Sequence, residues 1–151
     1  MATSSSGRPR QAVIDPVAGF TKAAVSQWSQ ARLAPGCQVY SDGTSAFALL
    51  AEHGHRHTVL PGKRRQATEQ PHSRWVNVVL SNLKRSLDGA YHAFAFGKYA
   101  HRYLAETAWR FNRRWDLTQL VPGLLAATVS LPPWTERALR DVPVFHAERS
   151  C

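Results

Sequence analysis

Between residues 73 and 87 the apolar side chains Val76, Val79, Leu80, Leu83 and Leu87 return at the 3.6-residue period of an α-helix. Asn77, Ser81, Lys84 and Asp88 line one polar edge beside them. The stretch GKYAHRYLAETAWRFNRRW repeats the pattern. It puts Ala100, Tyr103, Leu104, Thr107, Ala108 and Phe111 on a face expected to be buried, with Arg102, Glu106, Arg110, Arg113 and Arg114 outside. DLTQLVPGLLAATVS predicts one more helical piece, interrupted at Pro122 and Gly123. The chain from Ser73 onward therefore reads as helical.

The first half reads differently. MATSSSGRPR is small, polar and basic, with nothing to bury, and predicts a disordered tail over residues 1–10. QAVIDPVAGF predicts a strand in which Pro16 removes a ladder donor, which suits a sheet edge or a bulge. Thr21 is placed to cap a helix over TKAAVSQWSQARL, where Ala24, Trp28 and Ala31 or Arg32 recur at helical spacing until APG stops it. CQVYSD follows as a second strand, GTSAFALLAEHG as a short helix and HRHTVLP as a short strand. GKRRQATEQP is a polar, basic loop. Strand, helix and strand within about thirty residues form a crossover unit, so the class is α/β with the first two strands parallel.

A chain of 151 residues suits one folded unit with a real core. Lysine and arginine number 19 against 10 acidic residues, a formal charge of +9, which favours a polyanion such as nucleic acid. The plainer explanation, that the charge only keeps the protein dispersed, stays open. Two cysteines, Cys37 and Cys151, without a C-x-x-C pair indicate neither a disulfide scaffold nor a zinc ribbon, and a reducing cytoplasm fits. No window approaches the roughly eighteen uninterrupted apolar residues of a membrane span.

Three places could carry chemistry. Asp42 stands at the carboxyl end of a predicted strand, the edge where open parallel sheets collect ligands and metals, and Gly43 lets the chain turn there. Asp-Gly is also an ordinary turn. Asn77 and Lys84 are seven positions apart, about two helical turns, and share a face. On this helix by itself a solvated edge is the favoured explanation, since most polar residues at such spacing are simply exposed. Lys63, Arg64 and Arg65 could hold phosphates or simply be a solvated loop. His53, His55 and His57 lack the second ligand pair of a zinc site. Trp28, Trp75, Trp109 and Phe111 sit at core spacing and read as packing.

VYSDG, HTV, HSRWVNVVLSNLKRSLDGAYHAF and YLAETAWRFNRR, in this order and at these spacings, resemble the catalytic domain of the ISXO2-like transposases of the IS1595 family. The likeness covers about residues 8–128. It implies a ribonuclease H-like mixed sheet with helices, of the DDE integrase and transposase type, with an all-helical C-terminal part. It implies an 11–130 partial catalytic domain and a 131–151 C-terminal tail. In that pattern Asp42 matches the second acidic position, Asn77 the third in its asparagine variant, and Lys84 the basic residue two turns on. All three are then catalytic, with Asp42 and Asn77 as metal ligands and Lys63, Arg64, Arg65, Lys84 and Arg85 as DNA contacts. His72 and Ser73 sit on a short His-Thr-Asn signature, with Arg74 in place of its asparagine and Val79-Leu80 in place of its aromatic pair.

The family's first catalytic aspartate belongs to an initial strand, and no residue here matches it. Asp15 lies in the predicted strand that directly precedes the first helix, which corresponds to the third strand of that fold. The expectation is thus a fragment of an insertion-sequence transposase, lacking the first strand, that binds DNA at element ends and targets but cuts it poorly or not at all. When complete it would use two magnesium or manganese ions for strand cleavage and transfer. The expected setting is cytoplasmic and nucleoid-associated, with no membrane and with a homo-oligomer among the partners. The alternatives are a non-catalytic DNA-binding or regulatory product and a non-functional relic.

Overall fold

The computed structural model describes residues 1–4, 7–60, 71–90 and 96–141. The chain divides into two compact units where one was expected: one gathers Met1–Pro16 with the segment from Ser86 through the C-terminal helices, the other runs Val17–Arg85.

In the unit of Val17–Arg85, helix α1 (Lys22–Arg32) begins where expected, because the Thr21 hydroxyl accepts a 3.2 Å hydrogen bond from the Ala24 N–H. Strands β3 (Gln38–Ser41) and β4 (Arg56–Val59) pair in parallel, with Gln38 opposite Arg56 and Ser41 opposite Val59. Their crossover contains a 3-10 helix over Ser45–Leu50 that packs on α1. The core is Val25, Ala46 and Leu50, with Leu33, Val39 and Phe47 against it and the Phe20 ring edge-on to Phe47 at 5.2 Å. Ser29 is fully buried at this face of α1 and donates to the Ser26 carbonyl.

The predicted strand over residues 11–20 does not form. Strand β2 is only Pro9–Gln11, and it pairs antiparallel with β1 (Ala2–Thr3), so the expected disordered tail is partly a small hairpin, closed by Ser4 N–H donating to the Arg8 carbonyl. The parallel crossover therefore joins β3 to β4, not residues 11–20 to β3. Pro16 explains part of this, since it cannot donate to a ladder. Among the described residues there are two two-stranded sheets, and one mixed sheet does not appear. The α/β class holds at that coarser level.

Helix α2 (Pro71–Ala90) buries Val79 and Leu83. Val76 and Leu80, expected on the same face, are exposed, so the buried stripe is narrower than its periodicity suggests. Helix α3 (Phe96–Arg113) buries Ala100 and Leu104 and half-buries Tyr103, Thr107, Ala108 and Phe111. A 3-10 turn over Leu117–Gln119 leads without a break into α4 (Leu120–Ser130). Pro122 does not interrupt it, because it falls in the first turn, where an N–H would have no intrahelical partner. The segment expected as a C-terminal tail contains α5 (Glu136–Arg140), capped by Thr135. Among the described residues no helix is long and apolar enough to cross a membrane.

Candidate nucleic-acid and metal site

Asp42 follows directly on β3, exposed, at the carboxyl end of the parallel pair as its position in the sequence suggests. The turn around it is built locally. Asp42 Oδ1 accepts from the Thr44 hydroxyl at 2.8 Å and from the Thr44 N–H at 3.1 Å. Those bonds, the hydroxyl's first, hold the Asp42 carboxyl below its ordinary pKa range, so it is ionised at neutral pH, as a metal ligand or phosphate-site carboxylate must be. Gly43 carries φ +81°, and a Cβ there would stand 2.7 Å from Val59 Cγ1 on β4. Only glycine fits both constraints. Ser41 Oγ, one residue earlier, lies 2.8 Å from His57 Nε2 across the parallel pair, which fixes the end of the ladder beside Asp42.

Asn77 and Lys84 both lie on α2, Asn77 half-buried and Lys84 exposed. Asn77 lines a shallow, open depression with Arg74, Val78, Ser81, Asn82 and Arg85. Lys84 lies two turns beyond Asn77 on the same helix and is not among the residues that line the depression. No hydrogen bond or ion pair among the described residues joins Asp42 to either of them. The closely packed pairs in this unit are α1 with the 3-10 helix and β3 with β4. Lys63, Arg64 and Arg65 lie outside the described residues.

As a cation site the donor set is incomplete. Asp42 offers a carboxylate and Asn77 a neutral carbonyl, and among the described residues no group of three or more His, Cys, Asp or Glu could hold a metal ion. The three histidines do not gather: His53 Nε2 pairs with Ser26 Oγ at 2.7 Å, His57 with Ser41, and His55 is buried with its Nδ1 unpartnered. The tryptophans expected as packing are half-buried, with Arg113 over the Trp109 ring at 4.3 Å.

One set of residues has a role that its helical spacing concealed. Asn112, at the end of α3, closes two hydrogen bonds on the backbone of Ala12, accepting from its N–H at 2.7 Å and donating to its carbonyl at 3.0 Å. Arg114, expected on the outside, is half-buried, donates to the carbonyls of Pro9 and Phe111 and lies over the Phe111 and Trp115 rings. Desolvation lowers its pKa. Asn112 and Arg114 therefore clamp the hairpin strand and the residue that follows it. The signal that could have revealed it is the amide itself: asparagine is a weak helix former, and at a helix end it usually has work to do on a backbone.

The ISXO2-like transposase domain matches residues 1–112. None of the curated proteins and none of the solved structures matches the chain significantly. The match takes in the strand-end aspartate, the whole of α2 and α3 as far as the asparagine that clamps Ala12, and on that ground the chain belongs to the family of ISXO2-like transposase domains, the IS1595 family.

Proposed function

We propose that this chain acts in DNA transposition as the DNA-engaging part of an insertion-sequence transposase with a ribonuclease H-like catalytic core. The observation that carries the reading is the exposed Asp42 at the carboxyl end of the parallel β3–β4 pair, in a chain of family-matched sequence with a +9 charge. Asp42 and Asn77 are this chain's ligands to divalent cations, and Lys84 positions a phosphate as a point charge. When bound, magnesium or manganese ions in such a set activate water or a DNA 3′ hydroxyl for in-line displacement at phosphorus. The Thr44 bonds hold the Asp42 carboxylate ionised and aimed before any ligand arrives. Asn77 contributes less negative charge than a carboxylate, so cation affinity leans on aspartates.

Asp42, Asn77 and Lys84 are the residues of this chain that match the family's catalytic set. The test is a strand-cleavage assay in magnesium or manganese on two proteins, the present chain and a version extended by a strand carrying the family's first aspartate. Cleavage by the extended protein, lost in Asp42→Ala, is the expected result. Cleavage indifferent to Asp42 overturns the reading.

A further inference from the structure

We infer that Arg74 is a phosphate-contacting residue, and that it forms with Ser81 and Arg85 a stripe on α2 along which one strand of a DNA backbone lies beside Asn77. The inference rests on the DNA-binding reading above and adds to it a residue and a track.

At about 100° per residue, Arg74, Ser81 and Arg85 fall on one line of α2, directly opposite the buried Val79 and Leu83. Asn77 and Lys84 lie together on one side of that line. Arg74, Asn77, Ser81, Asn82 and Arg85 together line one shallow, open depression on the surface of α2, so these donors stand side by side on one face. Arg74 and Arg85 are eleven residues apart, about 16 Å along the axis, so their guanidinium groups can reach phosphates a few nucleotides apart on one strand. Guanidinium forks at both ends and amide and hydroxyl donors between them suit phosphate oxygens.

A solvated helix face is the rival, and ion pairing separates the two. On α3 and α5 the exposed arginines are matched with acids one turn away: Arg110 with Glu106, Arg137 with Asp141 and Arg140 with Glu136. Arg74 has no acidic residue three or four positions away. Asp88 is the one acid of α2, and neither Lys84 nor Arg85 closes an ion pair with it among the described residues. The stripe thus keeps its cationic field uncancelled, which complements a polyanion.

The experiment measures binding of the full chain to a mixed-sequence DNA duplex across rising salt, with Arg74→Ala, Arg74→Gln, Arg74→Lys and a charge-matched control, Arg137→Ala. The expected result is that Arg74→Ala and Arg74→Gln each weaken binding about five- to tenfold at low salt and flatten the log–log salt slope by about one unit. Arg74→Lys keeps the slope, and Arg137→Ala stays close to the unchanged chain. If Arg74→Ala and Arg74→Gln match Arg137→Ala while the unchanged chain binds, the stripe is refuted and the DNA-binding reading stands. If the unchanged chain shows no salt-dependent binding, both fall.

Discussion

Asn112 and Ala12, one hundred positions apart, are joined by both ends of one side-chain amide, which completes for Ala12 the hydrogen bonds that a neighbouring strand would otherwise make. Asn112→Ala should destabilise the protein by about 1–3 kcal/mol, because it leaves a part-buried N–H and carbonyl unpaired. Asn112→Asp should cost at least as much, since a carboxylate cannot donate to the Ala12 carbonyl. Denaturant titration measures both, and a midpoint unchanged in either variant would contradict the clamp.

Gly43 should resist substitution for two separable reasons. Gly43→Ala should cost about 1–3 kcal/mol from left-handed backbone together with the approach to Val59 Cγ1. Adding Val59→Ala should recover the steric part and leave the backbone part. A double-mutant cycle reads the difference as a coupling, and purely additive effects would place the cost in the backbone alone.

The Asp42 turn gives a pH signature of definite sign. The folded carboxyl titrates below its unfolded value, so its contribution to stability is present above the ordinary carboxylate range and is lost as pH falls through the depressed value. Thr44→Val removes the hydroxyl bond, the largest cause, and should raise the Asp42 pKa toward the ordinary value. NMR titration of the Asp42 carboxyl carbon follows it, and an unmoved midpoint would mean the hydroxyl bond does not matter.

In a cleavage-competent extended protein, Asp42→Ala should abolish metal-dependent activity and Asn77→Ala should reduce it strongly. Asn77→Asp should preserve or raise metal binding by adding charge. Lys84→Ala should act mainly on KM, with a smaller loss at saturating DNA. Steady-state kinetics over DNA and metal concentration distinguish these outcomes. Wild-type rates for the Asn77 variants would return that residue to the solvated edge.

The basic loop is testable independently of the stripe. Changing Lys63, Arg64 and Arg65 together to Glu should weaken DNA binding for every sequence alike and flatten its dependence on salt. Filter binding on two unrelated duplexes shows this, and unchanged affinity would make the loop a linker.

Local chemistry was enough to read α1 and its Thr21 cap, the α2 and α3 periodicity, the segments that become β3 and β4, and the turn at Asp42-Gly43, since each depends on neighbours within a few positions. The shared face of Asn77 and Lys84 is likewise a matter of helical pitch. Strand pairing is not local. The segment around Pro16 has strand-like composition, yet the parallel partner of β3 is β4, because pairing energy comes from a ladder that forms only when the backbone groups of two segments meet. The same reason hid the small hairpin at the start of the chain and the Asn112 and Arg114 clamp, whose partners lie about one hundred residues away. Pro122 and Arg114 were misread for a related cause: a residue type constrains what a position can do, but its place in the first helical turn or against Pro9 comes from the surrounding structure. Residue type and spacing brought Asp42, Asn77 and Lys84 forward, whereas whether three such groups meet around a ligand depends on tertiary packing between β3 and α2.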